Sequence, residues 1–173
     1  MADVYAVFGT LLALGIAFPG LLTGFWLLFP EAVGRAQQRV ESTPYRCLFL
    51  GLGGAVLTIA LVSLFSAVPI GIVKLAGAIL AFGALAVATI GAAAIVSAMA
   101  GHLQPFVAGL GPAGAFVRSA VAIELAAAFP LVGWFVVLPL SLIVSLGAGM
   151  FSLFRWMPRA RAVTAAEPAL GQA

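Results

Sequence analysis

Apolar runs longer than about 18 residues recur along the chain, and they limit what it can fold into. Each run can cross the roughly 30 Å hydrocarbon core of a bilayer as a helix. A backbone in hydrocarbon satisfies its own hydrogen bonds, which leaves helices or a closed barrel. The polar and apolar alternation of barrel strands is absent here. With 64% hydrophobic and 8% charged residues, the sequence predicts an all-α integral membrane protein with one helical domain over residues 1–156.

Prolines, glycines and one polar segment divide the apolar sequence into helices. The polar segment, "EAVGRAQQRVESTPYR" at residues 31–46, is predicted to be an amphipathic cytoplasmic helix, with Val33, Ala36 and Val40 on one side and Arg35 and Arg39 on another, polar side. Residues 157–173 are predicted to be a flexible tail. The expected membrane spans cover residues 4–29, 45–68, 72–100, 113–129 and 131–156.

The stretch "AIELAAAFPLVGWFVVLP" decides the number of spans. Residues 113–156 would extend about 66 Å as a single helix, which is about twice the hydrocarbon thickness. Two crossings that turn at "FPLVG" place every basic residue except Lys74 on the cytoplasmic side, as the positive-inside rule favours. We therefore expect about five transmembrane helices, with the N-terminus outside and the C-terminus cytoplasmic. The fourth helix is expected to be short or re-entrant.

Two charged residues fall inside the expected spans, near the outer surface. Lys74 follows the "VPIG" turn closely, and Glu124 precedes Pro130 by six residues. Intramembrane charges are costly and are usually paired, so the sequence predicts an ion pair between Lys74 and Glu124. Such a pair serves either as a structural contact or as a proton or substrate site. The structural role is favoured, because a transport path would need further polar residues at successive depths.

The remaining reactive side chains are few. His102, at the inner boundary, is a weak candidate ligand for haem iron or chlorophyll magnesium, but no second ligand follows at helical spacing. Cys47 is alone, so it forms no internal disulfide. Arg118 is placed to reach the inner interface. The sequence therefore predicts no catalytic site, metal site or cofactor, and we expect a protein that is not an enzyme.

Small residues give the strongest pattern in the apolar sequence. They are predicted to let helix backbones approach closely. The third expected helix has alanine and glycine on nearly every face, which favours a position with several neighbours. The residues predicted to pack helices are Gly20 and Gly24 in a GxxxG spacing, and Ser141, Ser145 and Gly149 in the last helix.

Parts of the chain resemble a known family of membrane domains. The segments are "LFPEAVGRAQQRVESTPYRCLFLGL", a Pro-Ile-Gly turn, and "FPLVGWFVVLPLSLIVSLGAG". Together, over about residues 28–156, they resemble the polytopic membrane domain found alongside bacterial bactofilin-type polymer-forming proteins. The turn reads Pro69-Ile70-Gly71 here, where the family is expected to have Gly before Pro. The resemblance implies a bacterial inner-membrane protein with an anchoring or assembly role and no catalytic residues.

These observations predict a non-catalytic structural or accessory subunit of a larger bacterial membrane assembly. Energy-converting complexes use small helical subunits of this kind. The expected partners are the lipid bilayer and either other membrane subunits or further copies of the chain. The net charge is +3, but most basic residues flank apolar runs and form no basic surface. We therefore expect no binding of nucleic acid. The alternative function is a small transporter or channel that uses Lys74 and Glu124.

Overall fold

The protein is a bundle of helices. The computed structural model describes residues 2–107 and 109–154, and within residues 2–14 it describes only the side chain of Tyr5. The predicted tail at residues 157–173, with Arg155 and Trp156, lies outside the described residues. A 3₁₀ turn at Gln104–Phe106 follows the fourth helix, and a π-helical segment at Gly133–Val137 precedes the last. The α-helices are α1 (Ala2–Leu28), α2 (Pro30–Ser42), α3 (Pro44–Ala67), α4 (Gly71–Leu103), α5 (Pro112–Ala128) and α6 (Leu138–Leu153).

Prolines begin three of these helices. Pro30, Pro44 and Pro112 each occupy the first turn of their helix. Backbone amides in a first turn have no acceptor within the helix, so proline costs no hydrogen bond there. Between α1 and α2 the chain bends by 105° at Phe29. Helix α2 therefore turns away from the axis of α1 and packs on α4 and α6.

Helix α4 lies at the centre of the bundle, where it contacts each of the other α-helices. Many of its small residues are buried, including Ala93 and Ala94, which are fully covered. Alanine and glycine allow this because they let neighbouring backbones approach on several sides. The central position agrees with the prediction made from the composition of this helix.

Glycines form the closest crossings between helices. A β-carbon on Gly51 of α3 would collide with the Ile143 carbonyl oxygen of α6, and one on Gly147 would collide with the Cys47 carbonyl oxygen of α3. A β-carbon on Gly91 of α4 would likewise collide with the Ser145 carbonyl oxygen of α6. Helix α6 therefore meets both α3 and α4 backbone to backbone, and a methyl group does not fit at these glycines.

The Pro130 region is a tight turn between two helices. Helix α5 ends at Ala128, and the Gly133 amide donates a hydrogen bond of 2.8 Å to the Phe129 carbonyl oxygen. Gly133 is required here because a β-carbon would collide with the Ala127 carbonyl oxygen. Beyond the turn the helices diverge, since α5 packs on α1 and α4 while α6 packs on α2, α3 and α4. The stretch is thus two helices and not one kinked helix.

Several helices are long and apolar enough to span a membrane. By length and composition these are Pro44–Ala67, Gly71–Phe106 and Gly133–Leu153. A fourth candidate is Gly15–Leu28 together with Pro30–Ser42, if that bent pair is one span. Helix α5 has 17 residues, which is short of the roughly 20 that a span needs. The described residues therefore contain three to four candidate spans, and the expected count of five stays a prediction.

One end of the bundle carries most of the described basic residues. Helix α2 lies across this end, where the Ser97 hydroxyl of α4 donates to the Gln37 side-chain oxygen at 2.8 Å. The Ser152 hydroxyl of α6 donates to the Ala32 carbonyl oxygen at 2.7 Å. The C-terminal ends of α1, α4 and α6 therefore meet the N-terminal ends of α3 and α5 here. We call this the basic end, because it holds Arg35, Arg39, Arg46 and Arg118, whereas Lys74 lies in the first turn of α4 at the other end.

Candidate functional site

One face of α1 points away from the other described helices. A β-carbon on Gly20 or on Gly24 would meet no described atom within 4 Å. Leu21, Leu27 and Leu28 lie on the same side and are exposed by 51%, 64% and 72%. We call these five residues the open face of α1. It combines a GxxxG spacing with large flanking side chains, which is the surface that membrane helices use to associate.

The opposite face of α1 packs against the bundle. Leu22 is fully buried, and the Trp26 ring stacks on the Phe116 ring of α5 with 4.9 Å between centroids. Because α1 has 3.6 residues per turn, Leu22 and Trp26 lie together on one side of the helix. The open face lies on the other side. Gly20 and Gly24 were predicted to pack helices, but a β-carbon at either position would meet no other helix among the described atoms.

The predicted packing residues of α6 have different positions. Ser145 and Gly149 lie at the crossing with α4, where Ser145 meets Gly91 and Gly149 meets Val87. Ser141 is half-buried, and its hydroxyl donates to the Leu138 carbonyl oxygen at 3.0 Å within its own helix. Ser141 and Ser145 also line a cleft of about 220 Å³ between α1, α4, α5 and α6. The sequence pattern did not single out Gly51, Gly91 and Gly147, which make equally close crossings.

Lys74 and Glu124 do not form the predicted ion pair. No contact within 4 Å joins them, and Lys74 is exposed near the start of α4. The Glu124 carboxylate faces α1 instead, where its Oε1 atom lies 3.5 Å from the β-carbon position of Gly15. Gly15 leaves room for the carboxylate because it has no side chain. On the surface of α2, Arg35 and Glu31 form an ion pair at 3.5 Å.

Helix α2 is held to the bundle by a buried arginine that sequence analysis placed on its polar side. Arg39 is only 7% exposed, and its guanidinium carbon lies 4.9 Å from the centre of the Phe151 ring of α6. Val33 and Ala36 are buried on the same side of α2. A guanidinium can stack on an aromatic face and so be buried where an ammonium would not. A polar residue therefore extends the buried face of α2.

His102 and Arg118 lie beside one cavity at the basic end. The cavity has a volume of about 310 Å³ and lies between the C-terminal end of α4 and the first turns of α5. Within residues 2–107 and 109–154, no group of three or more His, Cys, Asp or Glu side chains is placed to hold a metal ion. Cys47 is buried at the start of α3 as a free thiol. None of these positions forms an arrangement of nucleophile and base.

No model of a known protein family matches this chain, and no curated protein or solved structure matches it significantly. The resemblance to the bactofilin-associated membrane domain therefore stays a prediction. The geometry of the described residues carries the functional argument.

Proposed function

We propose that this chain is a non-catalytic structural or accessory subunit of a bacterial inner-membrane assembly. It joins that assembly through the open face of α1. The partner is a transmembrane helix of another subunit or of a second copy of the chain. An anchoring role of this kind is also what the resemblance to the bactofilin-associated domain implies.

The outward Gly20–Gly24 pair is the observation that carries this proposal. Inside a bundle, small residues are useful because backbones approach at them, as Gly91 and Gly147 do here. A surface that faces only lipid gains nothing from glycine, because large apolar side chains make more contacts with acyl chains. Glycine is also a weaker helix former than alanine or leucine. Gly53 and Gly83 are also open, but neither has another glycine four residues away. Gly20 and Gly24 form a GxxxG pair, which suits a helix packing there.

We further propose five membrane crossings with the basic end in the cytoplasm. The positions of Arg35, Arg46 and Arg118 at one end support this orientation, since cytoplasmic boundaries are rich in arginine and lysine. The turn at Gly133 supports separate fourth and fifth crossings, because α5 ends at Ala128 and α6 packs largely on other neighbours. In this arrangement α2 lies along the inner surface.

A photo-reactive amino acid at Leu21 tests the assembly role in intact membranes. Leu21 is half-exposed between the two open glycines, so a reactive group there reaches whatever covers the open face. We expect irradiation to give a discrete protein adduct, identified by mass spectrometry. The matched control carries the same group at Leu57 on α3, which is 60% exposed and flanked by no open GxxxG pair. Lipid adducts alone at Leu21 would contradict the proposal.

Single-cysteine labelling tests the proposed topology. In a Cys47→Ala background, cysteines that replace Gly71 and Leu131 are expected to react with a membrane-impermeant maleimide from outside. A cysteine that replaces Gln38 on α2 is expected to react only after the membrane is opened. Leu131 is used because it is 75% exposed, whereas a side chain on the neighbouring Gly133 has no room. Protection of position 131 from outside would show that α5 is re-entrant and does not cross.

Transport is the weaker alternative. It depended on a Lys74–Glu124 pair beside a substrate path, and the structure does not bring these side chains together. The cleft between α1, α4, α5 and α6 is lined mainly by apolar side chains, and neither Lys74 nor Glu124 lines it. No observation on the described residues favours transport over assembly.

A further inference from the structure

The open cavity at the basic end has a mostly apolar lining that includes two basic residues. Arg118 and His102 line it from α5 and α4, and Met99, Leu103 and Phe106 supply apolar surface. Its volume is about 310 Å³, which is within the usual range of small-molecule pockets. Phe106 is 85% exposed, so the apolar wall continues onto the outside of the bundle. A ligand that fits this site has an anionic group joined to an apolar chain.

Ser119 gives the cavity a hydroxyl that is ready for a ligand. The residue is 3% exposed and lines the cavity, yet its hydroxyl makes no hydrogen bond with the described part of the chain. Hydroxyls inside helices commonly bond to a carbonyl oxygen of the preceding turn. Thr23 and Thr89 do so here, with distances of 2.7 and 2.8 Å. The Ser119 hydroxyl is therefore free to donate to a ligand that enters the cavity.

Arg118 also keeps its charge available. It forms no ion pair with any of the described carboxylates. Glu31 pairs with Arg35, Glu41 accepts a hydrogen bond from Gln37 at 2.9 Å, and Glu124 faces α1. An arginine that is not neutralised by the protein attracts anions, and its planar guanidinium donates two parallel hydrogen bonds to phosphate.

The depth of the site fits a phospholipid. Arg118 lies six residues after the start of α5, or about 9 Å along the helix axis, and His102 lies in the last turn of α4. Both positions belong to the basic end, which the proposed topology places at the cytoplasmic surface of the membrane. Basic pockets between membrane helices at this level bind lipid phosphates, while the acyl chain lies along the apolar surface.

We propose that this cavity binds one anionic phospholipid. Its phosphate contacts Arg118, His102 and the Ser119 hydroxyl, and an acyl chain lies along Met99 and Phe106. Free phosphate offers the same anionic group but cannot use the apolar wall. The site does not depend on the partner at the open face of α1, which lies on another surface of the bundle.

Native mass spectrometry of the purified full-length protein tests the site. Phosphatidylglycerol is added to detergent-solubilised protein, with phosphatidylcholine and inorganic phosphate as separate arms. We expect one phosphatidylglycerol to bind, with affinity at least about tenfold weaker in Arg118→Gln, because the variant loses a charge-assisted hydrogen bond to the phosphate. Arg118→Lys should restore part of the binding. Arg46→Gln, which removes an exposed charge at the same end but outside the cavity, should leave binding unchanged.

Three results would overturn the proposal. Equal weakening by Arg118→Gln and Arg46→Gln would show that surface charge alone attracts the lipid. Equal binding of phosphatidylcholine would remove the requirement for an anionic lipid. Displacement of phosphatidylglycerol by millimolar inorganic phosphate would show a simple anion site.

Ser119→Ala provides a second variant that leaves the net charge unchanged. It should weaken phosphatidylglycerol binding severalfold while leaving the thermal midpoint of the lipid-free protein close to wild type.

Discussion

Gly91→Ala is expected to destabilise the bundle severely, although it adds a single methyl group. The new β-carbon would collide with the Ser145 carbonyl oxygen and also approach the Ser145 carbon atoms. These are backbone atoms of α6, so no side-chain rotation removes the clash, and α6 would have to move away from α4. Overpacking usually lowers the free energy of unfolding by about 1–3 kcal/mol. Because the clash here is with backbone atoms, we expect a loss at or above the upper end of that range.

Gly83→Ala is the matched control for this prediction. Gly83 lies in the same helix, and its β-carbon position has no described atom within 4 Å. In a helix, alanine is about 1 kcal/mol more favourable than glycine, so the control should be neutral or slightly stabilised. The measurement is the thermal midpoint of both variants in one detergent, followed by size-exclusion chromatography. Equal midpoints for Gly91→Ala and Gly83→Ala would contradict the close crossing of α4 and α6.

The double variant Gly20→Ile, Gly24→Ile is expected to remove the protein from its assembly while leaving its own fold intact. The isoleucine side chains project from the open face of α1, where a β-carbon meets no described atom. They hold a partner helix away from the α1 backbone, and the close packing that drives association in lipid is then lost. The thermal midpoint of the isolated protein should stay close to that of the wild type.

Gly53→Ile is the control for the double variant. Gly53 is exposed on α3 with open space around its β-carbon position, so the change adds the same side chain to a different surface. We expect Gly53→Ile to keep its partners. Retention of partners by the double variant would exclude the open face of α1 as the interface. Loss of partners by both variants would show that no single face determines assembly.

The sequence was sufficient for features that depend on spacing along the chain. Prolines and glycines marked where helices begin and turn, which is why the Pro130 turn was recognised as a break between two helices. The composition of α4 indicated a central helix or one with several neighbours, because alanine and glycine on nearly every face let other helices approach. These arguments use only local residues and the repeat of a helix.

Features that depend on how helices rotate against each other were not predictable. Lys74 and Glu124 lie at comparable depths, but depth does not determine which neighbour a side chain faces, and Glu124 faces α1. Gly51 and Gly147 pack because two helices cross there, and a single sequence does not show where crossings fall. Arg39 was assigned to the polar side of α2 because it is charged. Its stacking partner Phe151 lies more than a hundred residues further along the chain, so the sequence did not indicate that the guanidinium would be buried.

The composition of the particle that the wild-type protein forms in its native membrane tests the assembly role most directly. The protein is extracted with its surrounding lipid in polymer nanodiscs, purified, and analysed by mass spectrometry for subunits and stoichiometry. We predict a fixed ratio of this chain to at least one other membrane protein, or a defined number of its own copies. A particle that contains one copy of the chain and lipid alone would contradict the proposed function.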